Sequence, residues 1–128
     1  MAGEPRVKLG TQKTLEANGA SIASGAVVQA NDANYVISTD GGNSPDAEFV
    51  LTAAFSVAPT EGSGLSLLAR PLNVDGTSDT EVPEVGRPTY YVDTFVVNNV
   101  TTSQTMWVFA RDVPRDAEYY LYNNGTGQ

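Results

Sequence analysis

Chemistry in this chain has few places to reside, because it contains no histidine and no cysteine. That removes the usual general base, the thiolate nucleophile, disulfides and most zinc sites. Carboxylates, lysine, hydroxyls and tyrosine remain. Glu48, Glu61, Glu81, Glu84, Asp93 and Glu118 could in principle contain the two carboxylates of a glycosidase, but nothing in their spacing selects a pair. Asn73-Val74-Asp75-Gly76, with Asp79 and Glu81, resembles part of a calcium loop. The EF-hand pattern would need an acidic residue where Pro71 stands and a glutamate where Val82 stands, so an Asp-Gly turn is the better account. The expectation is a protein that is not an enzyme and holds no cofactor and no metal.

Charge points to binding. The first 13 residues carry Arg6, Lys8 and Lys13 against Glu4, a net of +2, whereas the rest of the chain sums to −10. Such an acidic body repels phosphate backbones, so no nucleic-acid partner is expected. A basic arm on an acidic body could dock on an acidic neighbour, which makes Arg6, Lys8 and Lys13 candidate partner-binding residues. No apolar run is long enough to span a bilayer, and Met1-Ala2-Gly3-Glu4-Pro5-Arg6 has no apolar h-region, so neither a membrane partner nor a signal peptide is expected. Asn99-Val100-Thr101 and Asn124-Gly125-Thr126 match the glycosylation sequon and read as chance matches.

Aromatic residues supply the other candidates. Tyr90, Tyr91, Phe95, Trp107, Phe109, Tyr119, Tyr120 and Tyr122 all lie in the last third of the chain. On strands, Trp107 and Phe109 share a face, as do Tyr120 and Tyr122. Two uses compete, a sandwich core with tyrosines at its rims or an aromatic platform for a sugar or a protein. Tyr120 and Tyr122 are taken as candidate partner-binding residues, and for the aromatics as a group the core is the favoured expectation over an interface.

These residues must be positioned by strands. From Glu48 to Val57 the chain alternates, with Phe49, Leu51, Ala53, Phe55 and Val57 on one face and Glu48, Val50, Thr52, Ala54 and Ser56 on the other. Phe49, Leu51 and Phe55 are expected to point into the core. Further β-rich runs cover Tyr35–Thr39, Leu65–Leu72, Thr89–Val97, Thr105–Arg111 and Glu118–Tyr122, each bounded by Gly, Pro, Asn or Asp turns. Pro71 near a strand end suits an edge. Between Leu15 and Ala30, Gly19 and Gly25 oppose a long helix. Six or seven strands without crossover helices require a mostly antiparallel arrangement. The expected fold is all-β, an antiparallel β-sandwich of jelly-roll or similar Greek-key type, with an extended N-terminal arm over residues 1–14 and one domain over 15–128.

The chain from Phe49 to Gln128 also resembles a family of small structural proteins of tailed bacteriophages and prophages. The matching pieces begin with Leu51-Thr52-Ala53-Ala54-Phe55, Ala58-Pro59-Thr60-Glu61-Gly62 and Leu65-Ser66-Leu67-Leu68-Ala69-Arg70-Pro71. They continue through Asp75-Gly76-Thr77, Tyr91-Val92-Asp93-Thr94-Phe95 and Val100-Thr101-Thr102-Ser103-Gln104. Asp112-Val113-Pro114 and Asn123-Asn124-Gly125-Thr126-Gly127-Gln128 complete the series. The resemblance implies a capsid decoration (cement) protein on the outer surface of the virion, assembled in the host cytoplasm. Its implied partners are the major capsid protein and itself, as a dimer or trimer. A carbohydrate-binding or adaptor module of a tail fibre or baseplate is the competing expectation.

The pattern predicts under about 15% helix, against about 30% in ordinary domains. Far-ultraviolet circular dichroism dominated by strand checks it.

Overall fold

Two runs that alternate with period two, separated by half the chain, pair with one another and close the fold. The computed structural model describes residues 12–17, 19, 21–31, 34–36, 45–72, 81–86 and 90–128. Arg6, Lys8, the stretch Ile37–Ser44 and the calcium-like residues Asn73 to Asp79 lie outside them. Seven strands are present among the described residues: β1 (Val27–Gln29), β2 (Tyr35–Val36), β3 (Ala47–Ala53), β4 (Gly64–Pro71), β5 (Tyr91–Val96), β6 (Gln104–Ala110) and β7 (Asp116–Asn124). No described residue is helical.

The strands form two antiparallel sheets. The larger runs β1-β7-β4-β5, with β2 pairing the same β7 further along, and the smaller is β3 with β6. The sheets pack face to face as an all-β sandwich. The described strands divide five and two, which does not by itself define a jelly roll.

Local chemistry explains the divisions. β4 lies between β7 and β5, and its Leu65-Ser66-Leu67-Leu68-Ala69 run is buried on both faces, as a near-continuous apolar strand should be. Pro71 is its last residue, beyond the reach of β5, so the missing N–H removes no ladder bond on that side although β4 is central. Gly64 opens β4 because a Cβ there would overlap the Thr94 methyl. Between Leu15 and Ala30 the chain forms the short strand β1, preceded by a turn in which Ala26 donates to the Ala23 carbonyl (3.0 Å) and Gly25 takes φ +80°. The corner from β5 to β6 is clamped by one side chain. Asn98 donates its N–H to Gln104 Oε1 (2.8 Å), and Gln104 Nε2 donates back to the Asn98 carbonyl (3.2 Å).

The core lies between the sheets. Phe49 of β3 and Met106 and Val108 of β6 face Leu65 and Leu67 of β4, Phe95 of β5 and Ala117 and Tyr119 of β7. β3 ends at Ala53, short of the expected Val57. Leu51 and Phe55 are only half-buried against the core, and Val57 is exposed. Beyond β7 a polar lock is buried. Thr126 Oγ1 donates to Asn123 Oδ1 (2.6 Å), while Asn123 Nδ2 donates to the carbonyls of Ile22 (3.1 Å) and Gln128 (2.7 Å). Buried amides need such full pairing. It ties the segment just before β1 to the residues that follow β7.

Tyr119 joins the sheets. Its ring lies 4.9 Å from that of Phe49, centroid to centroid, and 6.5 Å from that of Tyr35 in an edge-on arrangement. Its hydroxyl is buried with no hydrogen-bond partner among the described residues. Burial, reinforced by Tyr35 and Tyr90, raises its pKa well above the ordinary tyrosine value. Tyr119→Phe keeps the ring contacts and removes an unsatisfied donor, so at pH 7 stability should hold or rise by up to about 1 kcal/mol. The unfolded chain releases this proton near pH 10 and the folded chain does not, so folded stability falls as pH rises above that point. Urea denaturation at pH 7 and pH 10.5 should show a smaller alkaline loss for Tyr119→Phe than for the natural chain.

Candidate functional site

β6 alternates strictly. Gln104, Met106, Val108 and Ala110 are buried, and Thr105, Trp107 and Phe109 point outward. In β3, Phe49 faces the core, and Glu48, Val50 and Thr52 point outward. The pairing register brings the two outer rows together, placing Val50 opposite Trp107, Glu48 opposite Phe109 and Thr52 opposite Thr105. The two threonine hydroxyls meet at 3.1 Å. Trp107 is 67% exposed, Val50 62% and Phe109 49%. An antiparallel sheet ordinarily turns polar side chains to water, so this apolar centre is the candidate interaction surface.

This corrects the core expectation for Trp107 and Phe109. They share a face as expected, but it is the outer one. The sequence of β6 could not decide the matter, because Met106 and Val108 on one face are as apolar as Trp107 and Phe109 on the other. The polar partners Glu48, Thr52 and Thr105 carry the signal, and it becomes readable only with the β3–β6 register.

The candidates from sequence fall elsewhere. Tyr120 and Tyr122 do share a face, the outer face of the larger sheet. Tyr120 is buried there beside Leu68, and its hydroxyl donates to Glu118 Oε2 (3.0 Å). Arg70 Nη1 donates to the same oxygen at 3.0 Å. Burial and the Glu118 carboxylate both raise the Tyr120 pKa. Tyr120 is thus committed to an internal cluster with Arg70 and Glu118. Tyr122 is half-buried. Lys13 is half-buried and makes contacts of its own. Tyr120 and Tyr122, on the larger sheet, do not join the Val50–Trp107–Phe109 face.

The chain matches no family model, no curated protein and no solved structure.

The other described surface features lie apart from this face. A cavity of about 310 Å³ opens at one end of the sandwich, lined by Ile22, Ala53, Phe55, Leu65, Asn123 and Gln128, with Ser21, Ala54 and Ser56 completing the lining, and none of these side chains titrates. The carboxylates are scattered, Glu61 accepting from the Asn99 N–H (2.8 Å) and Glu118 held by Arg70. Among the described residues no three Asp or Glu side chains gather closely enough to hold a metal ion. Both sequons are in structural use, because Asn99 Nδ2 donates to the Pro59 carbonyl (2.7 Å) and Thr126 is fully buried.

An exposed indole contributes little to the fold. Trp107→Ala should cost under about 1 kcal/mol, the size of one cross-strand pair, rather than the 3–5 kcal/mol of a core aromatic. Chemical denaturation compared with the natural chain checks this, and a loss above about 2 kcal/mol would return Trp107 to the core.

Proposed function

We propose that this chain is a structural virion protein, a capsid decoration protein that binds the outer surface of the major capsid protein shell and stabilises it. The observation that carries a binding role is the outward Val50–Trp107–Phe109 row on β3 and β6. Trp is the residue type most enriched at the energetic centre of protein interfaces. The likeness of residues 49–128 to small phage structural proteins supplies the virion setting. The charge division supports a second contact: the arm over residues 1–14 carries Arg6, Lys8 and Lys13 into an otherwise acidic molecule.

The mechanism is mechanical. A protein seated across two shell subunits lets them separate only when its own contacts break. Each copy needs modest affinity, because many copies on one closed shell act together. The apolar row would supply contact area and the basic arm would supply orientation and reach.

One observation also favours a carbohydrate platform. The exposed Trp107 ring is flanked by the Thr52 and Thr105 hydroxyls and the Glu48 carboxylate, which is the apolar face with polar neighbours that a sugar ring needs. Such a module would belong on a tail fibre or baseplate.

The two readings separate in one set of measurements on shells assembled from the phage's major capsid protein. The natural chain should bind the shells and raise their disruption temperature. Trp107→Ala should bind at least about tenfold more weakly, the loss expected from an interface anchor. Because Trp107 is the single tryptophan, its emission should shift to the blue on docking. If the chain neither binds shells nor protects them, the decoration reading fails. A shift with host glycans in place of shells would favour the sugar platform. Full binding after deletion of residues 1–14 would remove the arm from the mechanism and leave the platform.

A further inference from the structure

The two sheets leave strand edges that differ. The larger sheet runs from β1 and β2 through β7 and β4 to β5; in the two-stranded sheet β6 lies beside β5 across the corner held by Gln104, and β3 forms the far edge. The first edge is blunted, since β1 and β2 are three and two residues long with a break between them. β5 is made irregular by the register shift at Leu67–Leu68. β3, at the far edge, has none of these features. It has seven residues in unbroken register with β6, no proline, no lysine and no bulge, and it pairs on one side only among the described residues. Proteins normally protect such an edge with charge, proline, bulges or cover.

We propose that the free edge of β3 pairs antiparallel with β3 of a second copy, about a two-fold axis at Val50. Self-pairing of an antiparallel strand requires that residues directly opposite one another point to the same face. A register centred on Val50 meets this over all seven residues. Val50 faces Val50 of the second copy, Phe49 faces Leu51, Glu48 faces Thr52 and Ala47 faces Ala53. The single charge on the strand therefore meets a hydroxyl and not its own copy, so no like-charge pair opposes the dimer. On the core side, Ala47, Leu51 and Ala53 pack against the core yet are only half-buried. The second copy covers them.

The pairing also enlarges the platform. A two-stranded face of this length measures roughly 24 Å by 10 Å, far short of the ~800 Å² that each partner contributes to a stable interface. Joining two β3 strands makes one four-stranded sheet and roughly doubles that face. Its centre becomes a row of Trp107, Val50, Val50 and Trp107 across the two copies. The partner copy thus supplies half of the docking surface, whatever the platform docks against.

The absence of cysteine makes the register directly measurable. At about 50 µM the natural chain should sediment at twice its 13.5 kDa mass. Val50→Cys should oxidise readily to a covalent dimer, because paired Cα atoms lie about 5 Å apart. Trp107→Cys should not, since its two copies stand about 14 Å apart across three strand spacings. Glu48→Cys and Thr52→Cys should cross-link when mixed and poorly alone. Val50→Lys sets two cations opposite each other and should give a monomer with unchanged circular dichroism, which separates lost pairing from lost folding. A natural chain that stays monomeric at 50 µM overturns the proposal. So does Trp107→Cys cross-linking as fast as Val50→Cys, which would indicate face-to-face stacking, or a Val50→Lys chain that remains dimeric.

Discussion

The contact between Phe49 and Tyr119 holds the two-stranded sheet on the five-stranded one. A two-stranded ribbon is marginal in water by itself, and β3 with β6 gains its stability only by setting one face on the larger sheet. Phe49 is the large side chain that β3 buries, and it meets Tyr119 at the middle of β7, the strand to which β1, β2 and β4 all pair. Tyr35 of β2 closes on the same ring from the side. Because the pleat alternates, seating Phe49 and Val108 inward obliges Val50 and Trp107 to point outward. The exposed row is therefore the other side of the packing that makes the sheet stable.

Electrostatics keeps that exposure tolerable. The chain carries a net charge of −8, which holds copies apart at long range. The outer face of β3 and β6 contributes only Glu48 to this charge, and it stands at one end of the strand. Repulsion between bodies is thus combined with a neutral apolar centre. On the larger sheet the opposite arrangement holds. There the aromatic residue Tyr120 is buried, its hydroxyl engaged with Glu118, and Arg70 neutralises the carboxylate, so that face is already satisfied.

Much of the strand inventory was legible because its signals are local. β3 shows its inward face directly, since Glu48 and Thr52 alternate with Phe49 and Leu51, and the turns around β4 and β7 are written in Gly, Pro and Asn. The placement of Trp107 was not legible, because it depends on a pairing between segments far apart in sequence, and β6 is apolar on both faces. Tyr120 illustrates the same limit from the other side. Its sharing of a face with Tyr122 follows from spacing alone, but its burial depends on Leu68 and Glu118, whose register against β7 and β4 no local pattern reveals. Charge segregation gave Arg6 and Lys8 as candidates through composition only.

The position of β7 has a consequence for how the chain acquires this structure. β7 pairs with β1, β2 and β4, and all three precede it by long stretches of chain. Only β4 and β5 are close enough in sequence to pair early. Contacts of such separation make folding slow, because loop closure must precede the reward of pairing. As the chain leaves the ribosome, β3 and β4 emerge with their partners still unmade, and the apolar side chains of both are exposed together. Folding therefore waits for Asp116–Asn124, and the interval before they arrive is when the chain most needs dilution or a chaperone.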